Sequence, residues 1–183
     1  YEVIKNFSVS ATFKYLFSDM GRIGNSRGAS SVAFDLGVLY KCGINDWEGA
    51  GWSVGLHVSN LGPKINYLTS KDALPATVKV GGAADLPFLQ MHKLTLTADL
   101  GYRLSPADVQ ALSVSAGAEY AWRELVMLRG GYHCGDKKKG DASYATAGAG
   151  VEYAGVRLDF AWLFAGHEYL ARNTFWVSLG YSF

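Results

Sequence analysis

The stretch His92-Lys93-Leu94-Thr95-Leu96-Thr97-Ala98-Asp99-Leu100-Gly101-Tyr102-Arg103-Leu104 decides the fold class. Leu94, Leu96, Ala98, Leu100 and Tyr102 share one parity, and Thr95, Thr97, Asp99, Gly101 and Arg103 share the other. A helix would scatter these two sets around its axis. An extended strand puts successive side chains on opposite sides, so this pattern predicts a strand with one apolar and one polar face. Residues 174–183 repeat the pattern, with Phe175, Val177, Leu179, Tyr181 and Phe183 set against Thr174, Trp176, Ser178, Gly180 and Ser182. Residues 7–18 do the same, with Phe7, Val9, Ala11, Phe13, Tyr15 and Phe17 on the apolar side.

Extending the template along the chain predicts ten strands, at about 6–17, 31–42, 51–60, 76–86, 92–103, 111–122, 125–134, 143–153, 155–164 and 173–183. No linker or composition shift divides them, so residues 1–183 are expected to form a single domain. The connections alternate in length. Those at 122–125, 153–156 and 87–91 are short, whereas 18–30, 61–75, 104–110, 135–142 and 165–172 are longer and polar. Short turns at one end and long loops at the other is the pattern of an outer-membrane barrel. The connection at 43–50 is longer than that pattern favours.

A soluble barrel or sandwich also alternates. Three features count against it. Strands of ten or more residues exceed the usual five or six of globular sheets and suit a tilted crossing of a bilayer. Aromatic residues crowd the apolar parity near strand ends, among them Phe17, Tyr40, Trp52, Tyr102, Tyr120, Trp122, Tyr132, Trp162, Phe164 and Tyr181, as in interfacial girdles. The other parity is mostly Gly, Ser and Thr with scattered charges, thin cover for a face bathed in water. Composition agrees: 49% of the 183 residues are hydrophobic and 14% aromatic, with 22 glycines and 4 prolines, which excludes a disordered chain. Seventeen basic and sixteen acidic residues leave a net charge of +1, too little for a nucleic-acid partner. Apolar runs are far too short for a spanning helix.

The polar parity collects Lys14, Lys41, Lys79, Arg103, Arg123, Arg129 and Arg157 with Asp35, Asp85, Asp99, Glu119, Glu152 and Asp159. The signs nearly balance. Enclosed charges are costly unless paired, so Asp99, Arg103, Glu119, Arg129, Glu152 and Asp159 are expected to brace the lumen rather than to select ions.

The terminal Tyr181-Ser182-Phe183 resembles the aromatic carboxyl end of outer-membrane barrels, which implies a Gram-negative outer membrane. Val58-Ser59-Asn60-Leu61-Gly62-Pro63-Lys64-Ile65-Asn66-Tyr67, followed by Leu74-Pro75-Ala76-Thr77-Val78-Lys79-Val80-Gly81-Gly82, is more specific. It resembles the "SNxGPKIxY … LPxxxxxGG" segment of the PorV (LptO) family, FadL-related barrels of the type IX secretion system in Bacteroidota. Lys93-Leu94-Thr95-Leu96-Thr97-Ala98-Asp99, Gly117-Ala118-Glu119-Tyr120 and Leu128-Arg129-Gly130-Gly131-Tyr132 extend the likeness, which runs over residues 52–183. The resemblance implies an all-β, FadL-like transmembrane antiparallel barrel of fourteen strands. Four strands and a plug would then lie upstream of this chain, with residues 2–6 the end of a periplasmic turn. It further implies binding of the C-terminal signal domain of secreted cargo and its transfer from the translocon barrel to the surface-attachment machinery. The alternative within the same fold is a FadL-like transporter of long-chain hydrophobic molecules.

Loops on a rigid scaffold commonly carry recognition, so Asn60, Gly62, Pro63, Lys64 and Tyr67, together with Lys137, Lys138 and Lys139, are the expected partner contacts. The lysine run also suits lipid or lipopolysaccharide phosphates of the outer membrane. Gly62-Pro63 after a strand is a turn signal that Asn60 can cap, and Gly81-Gly82 suggests a bulge or a close backbone approach. No cofactor or metal is expected, because no phosphate loop precedes a helix and no Cys/His cluster has zinc spacing. His133 with Asp136 and His167 with Glu168 lie near loops without a further matching group, so no catalysis is expected. Cys42 and Cys134 end strands that run in opposite directions, which predicts no disulfide between them.

Overall fold

Alternation in residues 92–104 becomes an extended strand paired on both sides, and the same holds for eight further long segments, the last long strand being paired on one side. A computed structural model describes residues 2–18, 29–66, 71–166 and 173–182. The strands are β1 (Glu2–Ile4), β2 (Phe7–Ser18), β3 (Ala29–Gly43), β4 (Gly51–Leu61), β5 (Ile65–Asn66), β6 (Lys71–Asp72), β7 (Thr77–Phe88), β8 (His92–Arg103), β9 (Leu112–Trp122), β10 (Val126–Cys134), β11 (Tyr144–Tyr153), β12 (Val156–Ala165) and β13 (Phe175–Tyr181). All but β5 and β6 join one antiparallel sheet in chain order, from β1 to β13. β5 and β6 make a separate small hairpin. The ten expected strands are all present, with ends shifted by two residues at most. Among the described residues no ladder joins β1 to β13, so the barrel-type sheet is open in this structure.

Burial inverts the arrangement of a water-soluble sheet. Phe13 is 61% exposed, Val177 61% and Leu179 76%, and many other outward residues of the apolar parity, such as Leu36, Val54, Leu100 and Leu128, are likewise exposed. The buried positions lie on the other parity and are mostly small: Ala29, Ser31, Ala33 and Asp35 in β3, with Ser113 in β9. Met127 and Leu163 add the few larger apolar groups of that face. A sheet must cover its apolar face with a second layer or with an apolar solvent. No second layer covers it among the described residues, which leaves hydrocarbon as the matching medium. Aromatics mark both margins of this face. Tyr40 and Trp52 meet at 5.6 Å at the short-turn end, where the Tyr120 hydroxyl also lies 2.6 Å from His92 Nδ1. Trp162 packs on Phe164 and Phe175 at the opposite end.

The connections sort as their lengths indicate. Turns at Leu89-Gln90, Arg123-Glu124 and Ala154-Gly155 each place two residues in the left-handed region, the backbone of a hairpin turn that follows strand twist. The longer 44–50 connection coils on itself through hydrogen bonds from Ile44 N to Ala50 O and from Ala50 N to Trp47 O, at 2.9 and 3.0 Å. The Trp47 indole donates to Pro87 O at 2.8 Å, tying this connection to its neighbour. It therefore belongs with the short turns despite its length.

Two local expectations are corrected. Residues 2–6 are not all turn: Glu2–Ile4 pairs with β2, and only Lys5-Asn6 reverses the chain, with Asn6 at φ +73°. Asn tolerates that left-handed backbone, so two residues suffice. At Gly81-Gly82 the close backbone approach is found and the bulge is not: the register is regular toward both β4 and β8, and a Cβ would lie 3.0 Å from Ala98 O at Gly81 and 3.1 Å from Ser53 O at Gly82. The bulge lies where Phe34 pairs with Leu61 but Leu36 pairs with Val58, which puts Ser59 and Asn60 opposite the single residue Asp35.

Both cysteines are free. Cys42 sits beside the 44–50 turn and Cys134 beside the 135–143 loop, at opposite ends of the sheet. A bilayer core of roughly 25 to 30 Å would separate them. Non-reducing peptide mass spectrometry of the purified protein is expected to recover both peptides unlinked; a Cys42–Cys134 cross-link would contradict these strand directions.

Candidate functional site

The inner face is built on small residues that let long charged side chains reach past one another. Arg129 on β10 faces Glu119 directly across the β9 ladder. Its guanidinium pairs with Glu119 through Nε and with Asp159 of β12 through Nη1, crossing β11 on the way. Gly150 makes that crossing possible: a Cβ there would lie 2.5 Å from Asp159 Oδ1 and 3.3 Å from Arg129 Nη1. Arg157 completes the band, with Nε 2.7 Å from Asp159 Oδ2 and Nη1 3.7 Å from Glu152. Two guanidinium and three carboxylate groups thus bind four strands together. Asp99 and Arg103 stand outside this band. Asp99 Oδ1 is buried without a hydrogen-bond partner among the described residues, and Arg103 Nη1 donates to the Lys139 carbonyl at 3.2 Å.

A second cluster explains the motif at residues 58–67. The bulge takes the Asn60 N–H out of the ladder, and Asp35 Oδ1 accepts it at 2.8 Å. Lys14 Nζ lies 2.5 Å from Asp35 Oδ2 and donates to Asn60 Oδ1 at 3.2 Å. Asn60 Nδ2 donates to Pro75 O, which closes the base of the following loop. Asn60 itself is left-handed, at φ +57°. Gly62 then runs so close to β3 that a Cβ would fall 2.1 Å from Val32 O. Ser31 Oγ donates to Pro63 O at 3.1 Å, and Leu74 and Ala76 are buried on the returning segment. The loop accordingly folds against β3 at its root. Asn60 and Gly62 are committed to this packing, whereas Pro63 and Lys64 remain exposed. Tyr67 lies outside the described residues.

A third cluster sits at the long-loop end. His133 Nε2 is 3.0 Å from Asp141 Oδ1, and His133 Nδ1 is 3.0 Å from Ser115 Oγ. With Nε2–H donating to the carboxylate, Nδ1 is the ring nitrogen that accepts from the Ser115 hydroxyl in the matching tautomer. Tyr144 stacks on the ring at 4.8 Å. The carboxylate partner of His133 is therefore Asp141, not Asp136. Asp136 instead caps the one-turn 3₁₀ helix Lys137–Lys139, accepting Lys138 N at 2.9 Å. Lys139 Nζ is tied to Asp108 O at 3.1 Å, while Lys137 and Lys138 are exposed. The sequence offered His133 as a candidate but did not point to Ser115, which is one more serine on a Ser-rich parity. His167 and Glu168 lie outside the described residues.

A single antiparallel sheet that turns its apolar residues outward, locks charges in pairs on its inner face and gathers its loops at one end defines a β-barrel protein of the outer-membrane type. Residues 1–110, well over half of the chain, match the family described as type IX secretion system protein PorV, and the chain belongs to that family. It is thus a component of a protein secretion system. The match takes in the 58–82 segment and reaches the first strand, upstream of where the motif-based likeness begins. Among curated proteins, none matches this chain.

Arg129 is the hub of the ionic band, and its loss leaves Glu119 without its cation and Asp159 with Arg157 alone. Arg129→Met is expected to destabilise the folded barrel by about 1–3 kcal/mol, below the full cost of breaking a buried pair because these side chains keep partial solvent contact. Urea titration in lipid vesicles measures the loss, and Arg129→Met combined with Asp159→Asn should recover part of it.

Proposed function

We propose that this chain acts in a Gram-negative outer membrane as the secretion-system barrel that binds the C-terminal signal domain of cargo and carries it from the translocon barrel to the surface-attachment machinery. The observation that carries this reading is the family match over residues 1–110. The loops support it in detail. A rooted loop displays Lys64, and a capped 3₁₀ turn displays Lys137 and Lys138 at the same end of the sheet. Short, anchored loops lose little entropy when a partner docks. In this reading residues 1–183 form one barrel unit, and outer-membrane lipid or lipopolysaccharide surrounds its apolar face.

The transporter alternative is less well supported by the inner face. A hollow of about 570 Å³ on this face sets Ser8, Ser10, Ser53, His57, Lys79 and Asp99 beside Val9, Val38, Leu39 and Leu56, so hydroxyl and charged groups break up its apolar lining. Pockets for long-chain hydrophobic molecules are lined predominantly by apolar side chains.

Immobilised cargo signal domain is expected to capture the purified protein. Reversing the charge at Lys64, Lys137 and Lys138 together should weaken capture roughly tenfold, about 1.4 kcal/mol. Normal surface display of cargo in a strain lacking the protein would sink the reading.

The Ser115–His133–Asp141 chain acts here as a brace between β9, β10 and the following loop. Peptide and phospholipid hydrolysis by the purified protein should stay at background and be unchanged in His133→Ala. Turnover that disappears in that variant would assign the chain a catalytic role instead.

A further inference from the structure

Lys79 and Arg103 are inner-face cations without an ion pair among the described residues; Asp99, the other diagonal neighbour of Lys79, pairs with neither. In the β7–β8 ladder Lys79 pairs with Gly101 and Thr77 with Arg103, so the two cations are diagonal neighbours on one face. The lysine stem lies over Gly101, where a Cβ would be in ordinary contact with Lys79 Cγ and Cε at 3.5 and 3.6 Å. Arg103 is held from the other side by the Lys139 carbonyl, which occupies one N–H and leaves the rest of the fork free. Neither cation has a carboxylate within 4.0 Å among the described residues, unlike Lys14, Arg129 and Arg157 on the same face. Like charges set close across a ladder destabilise it unless something neutralises them.

The two side chains line a cavity of about 210 Å³ at the long-loop end, together with Thr77, Ser113, His133 and Tyr144. Asp141 also lines it, but its Oδ1 is engaged by His133. Lys79 and Arg103 together carry a charge of +2, set against the single negative charge of Asp141. A carboxylate supplies one negative charge and is satisfied by the arginine fork alone, which leaves the lysine unmatched. A phosphate group carries about −1.5 to −2 at neutral pH and spreads it over a tetrahedron of oxygens, enough to meet cations from two strands together. The volume suits it: a water takes roughly 30 Å³ of liquid, so the cavity holds a phosphate with a few waters around it.

We propose that Lys79 and Arg103 form a phosphate-binding pocket at the outer end of the inner face, which takes inorganic phosphate or the phosphomonoester of a lipid headgroup. The pocket is separate from the exposed lysines of the 137–139 turn. It depends on side chains rooted in β7 and β8 and does not rest on the cargo-binding reading.

The test is calorimetric titration of the purified protein in phosphatidylcholine nanodiscs with inorganic phosphate. Saturable binding is expected. Lys79→Gln should weaken it about tenfold, Lys79→Arg should retain it, and Lys79→Gln combined with Arg103→Gln should abolish it. Heat-modifiable electrophoretic mobility reports that each variant is folded, and if the double variant fails to fold, the contrast between Lys79→Gln and Lys79→Arg decides. Repeating the titration in nanodiscs that contain phosphatidic acid distinguishes the sources: a blocked phosphate signal assigns the pocket to a headgroup, and an unchanged signal assigns it to free phosphate. Absence of saturable heat up to about 10 mM phosphate, or equal affinity in Lys79→Gln and the unaltered protein, would overturn the proposal.

Discussion

The structure depends on one constraint: a backbone surrounded by hydrocarbon must satisfy its own hydrogen bonds, since the medium offers none. The long strands from β2 to β12 pair antiparallel on both sides, and β13 pairs with β12. The exception shows the rule at work. Where the β3–β4 ladder bulges, Asp35 supplies from a side chain the acceptor that the Asn60 N–H has lost. Lys14 then holds the carboxylate charge that this arrangement places on the inner face. A conserved-looking turn motif thereby becomes a repair of the sheet, and the loop that follows inherits a fixed root.

The same constraint explains why the inner face is sparse. With large apolar residues required outside, the inside must be filled by whatever a curved sheet can enclose, and here Gly, Ala and Ser alternate with long ionic side chains. Small residues are the means by which charges meet. Arg129 reaches Asp159 over Gly150, and Lys79 lies across Gly101. Removing charged groups from water is costly, and multiple pairing around Arg129 and Asp159 offsets that cost where a single ion pair would barely do so. The Lys79–Arg103 corner departs from this pattern, which is why an anion is sought there.

The candidate contacts divide by whether the fold uses them internally. Asn60 and Gly62 are spent on the root of their loop, through three polar contacts to Asp35, Lys14 and Pro75 in one case and a backbone approach in the other. Lys139 is tethered to Asp108. Among the described candidates, Pro63, Lys64, Lys137 and Lys138 stay exposed, and three of them are cations in loops at one end of the sheet. The family's place in secretion fits a surface of this kind better than it fits an enzyme's cleft.

Strand number, the identity of the outward face and the separation of turns from loops were legible in the sequence, because a period of two is a local property written into neighbouring residues. The motif near Asn60 and the near balance of inner charges were legible for the same reason. Which charges meet was not. Arg129 and Asp159 lie 30 residues apart, Asn60 and Asp35 25 apart, and their contacts depend on register, on a bulge and on a glycine in an intervening strand. Turns such as Leu89-Gln90 and Arg123-Glu124 carry no Asn-Gly or Asp-Gly signal, yet adopt two successive left-handed residues because the paired strands on either side impose their twist. The sequence alone thus determined the chemistry of each face, a matter of parity, whereas only the tertiary structure decided the partners across it, since distance between strands is set by pairing that no local pattern encodes.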